Sequence, residues 1–266
     1  RLEGGREVFL SHGCNRTTGR TKVGSMSGHN KWSKVKNVKG KEDAKRASAF
    51  TKISRMIMVA VREGGGDPDY NASLKMAIEK AKAENMPNDN INRAIKKGLG
   101  DLDGQEYSHA VYEGYGPEGV AVIVSCLTDN KNRTAANVRH YFDKYRGNLG
   151  TSGSVMFQFD YKGILVTDDE GKEEDTVMMD ALDAGAEDVR HEEGSYILLT
   201  DPAQFSTVND TLVEKGYVFR VAETGYLPKN TVRIEDEENQ KLMETLVDVM
   251  EDDDDVQDVY TNWEQE

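Results

Sequence analysis

Residues 163–200 read GILVTDDEGKEEDTVMMDALDAGAEDVRHEEGSYILLT, and the order of patterns within them decides the fold. The run at 163–167 reads as a strand, 173–184 as a helix, 188–190 as a short strand and 196–200 as a strand. Residues 202–215 then read as a helix and 217–221 as a strand. Residues 160–225 therefore spell β-α-β-β-α-β, the ferredoxin-like order.

The flanks carry an incomplete copy of the same theme. A strand at 120–127, a helix at 133–145 and a strand at 155–159 follow a first segment from 108 and lack an ending. A helix at 237–250 and a strand at 256–260 supply one. The expectation is one α/β unit inserted in another, at 160–231 within 107–159 plus 232–266.

Upstream the pattern is all helical. Ala47, Phe50, Ile53, Ile57 and Val61 recur at spacings of three and four, the stripe of an amphipathic helix over 41–62. Residues 31–39 read as helix too, with Trp32 and Val35 on one side and lysines on the other. Gly64-Gly65-Gly66-Asp67-Pro68 breaks the pattern. A helix over 71–84 follows, with Leu74, Ile78 and Ala81 inward, and ends at Met86-Pro87. Asn88 or Asp89 is positioned to cap the next helix, whose Ile91, Ala94 and Ile95 form its stripe and which Gly98-Leu99-Gly100 closes. Three short amphipathic helices must bury their stripes against one another. The fold class expected is therefore α+β: a helical bundle over 26–106, then two α/β (ferredoxin-like) domains, one inserted in the other. Residues 1–25 show no apolar periodicity and read as a leader added ahead of a natural start at Met26.

Charge divides along the same line. Residues 26–100 hold 16 Lys and Arg against 8 Asp and Glu, net +8, whereas 101–266 hold 13 against 38, net −25. A basic segment on an acidic chain points to a polyanionic partner. It is densest in GHNKWSKVKNVKGKEDAKRASAFTKISR, residues 28–55, where nine Lys/Arg and two acids lie between 31 and 55. Clustered cations neutralise phosphates and release counterions, and an interleaved Trp can stack on a base. The nucleic-acid-binding candidates are His29, Lys31, Trp32, Lys34, Lys36, Lys39, Lys41, Lys45, Arg46, Lys52 and Arg55.

Other chemistries find little support in the residue patterns. Cys14 and Cys126 form neither a CxxC pair nor a zinc pattern, and their sparseness fits a reducing, cytoplasmic setting. The five histidines include no HxH or HExxH, there is no GxSxG, and Gly64-Gly65-Gly66-Asp67 lacks the Gly-Lys-Ser/Thr of a phosphate loop. No enzyme, cofactor or metal is expected, and no apolar run approaches the ~20 residues of a membrane span. Asp252-Asp253-Asp254-Asp255 reads as a solvated turn, Asp129-Asn130-Lys131-Asn132-Arg133-Thr134 as a strand-to-helix loop with a cap, and Tyr112-Glu113-Gly114-Tyr115-Gly116-Pro117 as a turn leading into a strand.

Three blocks resemble one known family. GHNKWSKVKNVKGKEDAKRASAFTKISRMI, then GGGDPDYNASLKMAIEKAKAENMPNDNINRAIKKGLG, then YEGYGPEGVAVIVSCLTDNKNRTAANVR with GSVMFQF are similar to YebC/PmpR proteins over residues 26 to about 262. The mitochondrial translational activator of cytochrome c oxidase subunit I belongs to that family. Asn30 departs from the family's GHSKW, and Met56 stands where many members carry an acid; neither change removes a cation. The resemblance implies three domains and no enzymatic activity. It implies a DNA-binding transcriptional regulator, or alternatively a ribosome-associated translation factor that binds ribosomal RNA and relieves stalling. Charge alone does not separate DNA from RNA. A short bundle with no clear helix-turn-helix reader and one Trp among lysines leans to irregular RNA. A third reading makes the acidic domains a protein-interaction adaptor. No membrane and no small-molecule substrate are expected as partners, and a monomer is favoured.

Overall fold

A computed structural model of the protein describes residues 42–100, 107–192 and 194–264. Residues 1–41, with Cys14 and the basic run up to Lys41, lie outside the described residues. Three helices come first: α1 (Glu42–Gly64), α2 (Ala72–Ala83) and α3 (Asn88–Leu99). Their stripes meet as the periodicity requires. Ile53, Ile57 and Val61 pack with Leu74, Ala77 and Ala81 and with Ile91 and Ala94. Gly98 lies inside α3 rather than ending it. A Cβ there would stand 2.9 Å from the Val61 Cβ and 3.0 Å from the Met58 carbonyl, so α1 and α3 approach closely only because that atom is missing. Gly100 is the residue that ends the helix.

The two inter-helix connections are tied, the first by a side chain and the second by backbone bonds. Asn71 caps α2 by accepting from the Leu74 N–H at 3.1 Å, while its amide donates to the Ala60 and Gly65 carbonyls at 2.7 and 2.8 Å. At the other end of α2, Asn85 takes a left-handed φ of 56°. Its N–H donates to the Lys82 carbonyl and that of Met86 to the Ala81 carbonyl, while Met86 is buried. This is the Schellman arrangement, which satisfies the last carbonyls and turns the chain sharply. Asn88 and Asp89 fall within the first turn of α3 rather than capping it; Pro87 is the N-cap and makes no side-chain bond.

The rest of the chain runs β1 (Ser108–Tyr115), β2 (Ala121–Thr128), α4 (Lys131–Lys144), β3 (Asn148–Leu149), β4 (Phe159–Asp168), α5 (Glu174–Ala184), β5 (Asp188–Glu192), β6 (Ser195–Thr200), α6 (Phe205–Glu214), β7 (Val221–Pro228), β8 (Val232–Arg233), α7 (Glu237–Glu251), β9 (Val256–Thr261) and β10 (Trp263–Glu264). One antiparallel sheet has the order β3-β1-β2-β9, the other β5-β6-β4-β7, and β8 pairs with β10. The second order is the ferredoxin-like one read from residues 160–225.

Alternation along the strands builds four layers. Val122, Val124 and Cys126 of β2 pack on Val138 and Phe142 of α4 and on Met243, Leu246 and Met250 of α7. The opposite face of that sheet, with Ala121, Ile123 and Tyr260, meets Ile164, Val166 and Leu199 of the second sheet. The outer face of the second sheet, with Leu165, Tyr196 and Leu198, packs on Val177, Ala181, Val208 and Leu212 of α5 and α6. The layers therefore run helices, sheet, sheet, helices. β2 is covered on both faces, which is why it reads AVIVSCLT without alternation.

Three sequence expectations are corrected. Residues 155–159 are not a strand: a 3₁₀ turn occupies Met156–Gln158 and β4 begins at Phe159. The cause is Glu113, whose carboxylate accepts from the N–H groups of Gly153, Val155 and Met156 at 2.6, 2.9 and 2.8 Å and bends the segment around itself. Residues 112–115 belong to β1, so the turn expected there falls at 116–119. The strand expected over 217–221 starts only at Val221, because Tyr217 closes α6, donating its N–H to the Leu212 carbonyl and its hydroxyl to Asp180.

Candidate nucleic-acid interface

The basic helices are the place to build the site, and α1 comes first. Of the residues expected to bind nucleic acid, His29, Lys31, Trp32, Lys34, Lys36, Lys39 and Lys41 lie outside the described residues. Lys45 and Arg46 fall within α1, but their side chains are outside the described set. Lys52 and Arg55 are described, and both face inward to the protein. They share with Ser48 the side of α1 turned away from Ile53, Ile57 and Val61, and that side meets the turn after α7. The Ser48 hydroxyl donates to Asp254 at 3.2 Å, and Lys52 Nζ donates to the Glu251 carbonyl at 2.5 Å. Arg55 Nη1 donates to the Asp254 carbonyl at 2.6 Å and to Asp255 Oδ1 at 3.0 Å. Its guanidinium also lies 5.4 Å from the centroid of the Tyr107 ring.

The acidic turn is thus only partly solvated: Asp252 and Asp254 are exposed, and Asp255 is not. Asp255 is 4% exposed and sits between two guanidinium groups, with Arg133 Nη2 donating to its Oδ2 at 2.6 Å and Thr128 and Thr134 adding hydroxyl bonds. Burial alone would raise this carboxyl, but the hydrogen bonds from Arg133, Thr134 and Thr128 hold it below its ordinary value. Asp253 accepts from the Tyr141 hydroxyl at 2.9 Å. Arg133 also pairs with Asp129 at 2.7 Å, so the guanidinium in the 129–134 loop is committed to structure, and Asn130 caps α4 as expected. Lys52 is pushed below its ordinary value by burial, against the pull of Glu251 and the neighbouring acids.

Two of the three cations of α2 are committed as well, while Lys82 is exposed. Lys75 bonds Asp210 at 2.9 Å, and Lys80 lies 3.5 Å from Glu223 and 3.7 Å from Asp258. Lys52 and Lys80 stand on the wall of a 720 Å³ cleft where α1 and α2 meet the α6–β7 connection and β9; Met56 and Phe219 supply apolar lining.

On α3 the arrangement differs. Ile91, Ala94 and Gly98 face α1, while Asn88, Asn92, Arg93, Lys96 and Lys97 are exposed. Among the described residues, no ion pair ties Arg93, Lys96 or Lys97. The sequence reading did not single these three out, because it followed cation density, which peaks upstream of residue 55. The signal was their spacing, i, i+3 and i+4 on one helix face.

Other chemistry has no geometry here. Among the described residues, no group of three or more His, Cys, Asp or Glu side chains is placed to hold a metal ion, and no helix is long and apolar enough to cross a membrane. Cys126 is buried under α4 and α7, and that burial pushes its thiol up to about 12.

Comparison with known proteins places this geometry. The TACO1/YebC N-terminal domain matches residues 30–101, and the TACO1/YebC second and third domain matches residues 107–263. The chain belongs to the TACO1/YebC family. A probable transcriptional regulatory protein of Finegoldia magna is 61% identical over 241 residues, covering 91% of this chain and all of that relative. One from Clostridioides difficile is 59% identical over 231 residues, covering 86% of this chain and 97% of the relative. The crystal structure of a conserved hypothetical protein from Aquifex aeolicus superposes with a TM-score of 0.78 at 43% identity, covering 88% of this chain and 96% of that one. As a TACO1/YebC member the chain has the mixed architecture expected of it: N-terminal helices followed by α/β units with antiparallel sheets.

Proposed function

We propose that this protein is a nucleic-acid-binding regulator of gene expression that acts on DNA. The observation that carries the reading is the division of charge: net +8 over residues 26–100 against net −25 over 101–266. Cations concentrated on one helical unit bind a phosphate backbone, while the acidic body stays off it. The names of the Finegoldia and Clostridioides relatives, probable transcriptional regulatory proteins, favour the same reading. The backbone contacts fall to His29, Lys31, Lys34, Lys36, Lys39, Lys41, Lys45 and Arg46, with Trp32 stacking on a base. Lys52 and Arg55, held by the acidic turn, contribute less than their place in the basic run suggests. In this reading the protein works in the cytoplasm as a monomer, without enzymatic chemistry.

The test is the salt dependence of binding by the full chain to a mixed-sequence DNA duplex. The K34Q/K36Q/K39Q variant should bind every duplex more weakly, and its plot of log affinity against log salt should flatten by about 2–3. An unchanged affinity and slope would remove the basis of the assignment.

A further inference from the structure

We infer that α3, set off from α2 by the sharp turn at 84–87, is the helix that enters the major groove of duplex DNA. This rests on the reading above that the protein binds nucleic acid, and it names the surface and the form of the partner.

Four observations carry it. First, the connection is short and shaped. Four residues join the helices, and the Schellman bonds from Asn85 to Lys82 and from Met86 to Ala81, with Asn85 at a φ of 56°, turn the chain abruptly. A turn this short with one left-handed position fixes where α3 starts relative to α2. Asn is the common substitute for Gly there.

Second, α3 is sealed on one side only. Ile91, Ala94 and Gly98 lie against α1, and the opposite side carries Asp89, Asn92, Arg93 and Lys96 into solvent, flanked by the exposed Asn88 and Lys97. Twelve residues give a helix about 18 Å long, enough to lie across a groove roughly 12 Å wide.

Third, the exposed chemistry suits a duplex. An Asn amide matches the adenine edge, an Arg fork matches guanine, and lysines meet the flanking phosphates. The helix dipole accounts for Lys96 and Lys97 in the last turn and for Asp89, the acid of α3, in the first. It does not account for Arg93 and Asn92 in the middle.

Fourth, most of the neighbouring cations are occupied. Lys52 and Arg55 bind the acidic turn, and Lys75 and Lys80 bind Asp210, Glu223 and Asp258. Lys82, in the last turn of α2 beside the 84–87 turn, is exposed like the α3 set.

The experiment uses the full chain, a 30-base-pair mixed-sequence DNA duplex and a single-stranded RNA of equal length. R93Q/K96Q/K97Q is compared with wild type and with K34Q/K36Q/K39Q. All three α3 positions are exposed, so folding is checked by a matching thermal transition. The inference expects the α3 variant to bind duplex at least about tenfold more weakly with a salt slope lower by about 2–3. Cross-links from bromodeoxyuridine-substituted duplex to the wild-type chain should fall within α3, which tests the surface without a variant. Wild-type binding that survives intact in the α3 variant, with cross-links elsewhere, overturns the helix assignment and leaves the broader reading standing. Tighter binding to the RNA through the same three residues overturns the commitment to duplex. No binding to either nucleic acid overturns the broader reading itself.

Discussion

Arg55 and Asp255 meet at 3.0 Å, 200 residues apart in the chain, and so fasten the first helix to the last turn before β9. Asp255 is the hinge of that fastening because Arg133 reaches its other oxygen at 2.6 Å. The contact sets the basic helical unit against the acidic body, with Asp255 of its most acidic turn paired to two guanidinium groups. It also takes Arg55 out of the pool of free cations.

Replacing Asp255 with Asn should lower stability by about 3 kcal/mol, since the part-buried Arg55 guanidinium loses its counter-charge, while the exposed Arg133 keeps Asp129. The folded carboxyl titrates below its ordinary value. Its stabilisation is therefore complete above about pH 4, where the unfolded carboxyl is ionised, and is lost as the pH falls through the folded value. Thermal unfolding of wild type and D255N at pH 7 and pH 3 should show a gap that narrows at the lower pH; a constant gap would contradict the assignment.

Glu113 predicts a second loss. Burial would raise its carboxyl, but the N–H groups of Gly153, Val155 and Met156 hold it low. Glu113→Gln keeps the shape and removes the charge that three donors share, and should cost about 2 kcal/mol in urea unfolding. An unchanged midpoint would mean that the 153–158 turn forms without it.

The α1–α3 crossing predicts a coupling. Gly98→Ala places a Cβ 2.9 Å from the Val61 Cβ and should destabilise by about 1 kcal/mol, even though Ala is the better helix former. A Val61→Ala background keeps the Val61 Cβ position and the Met58 carbonyl and removes only the Cγ1 contact at 3.0 Å, so the cost of the same substitution should fall in part. Additive effects in the double-mutant cycle would show that the two helices do not touch there.

Cys126 should be inert. With its thiol pushed up to about 12 by burial, a Cys14→Ser chain should not react with a disulfide reagent until it unfolds. Stoichiometric labelling of the native chain would contradict the packing under α4 and α7.

How much was legible in the sequence follows from where the signals were local. The helices came from stripes such as Ile53, Ile57 and Val61, and the ferredoxin-like order came from alternating runs around 160–225. Both depend on neighbours a few residues away. Residues 155–159 misread because their conformation is set by Glu113, some 40 residues earlier and unannounced by any motif. The acidic turn misread for a similar reason. Four consecutive Asp look solvated, and only tertiary structure brings Arg55 and Arg133 to Asp255. Charge density selected Lys52 and Arg55 as nucleic-acid contacts without any means of knowing that the chain itself supplies their anions. The turn between α2 and α3 was passed over because Asn85 carries the backbone role that a Gly would have advertised.

The most direct test of the central claim is a competition: the full chain, at near-physiological salt, offered purified ribosomes and mixed duplex DNA together. The account predicts that duplex DNA retains the chain and displaces it from ribosomes, with affinity falling steeply as salt rises. Retention on ribosomes with DNA failing to compete would contradict it and make this protein a translation factor.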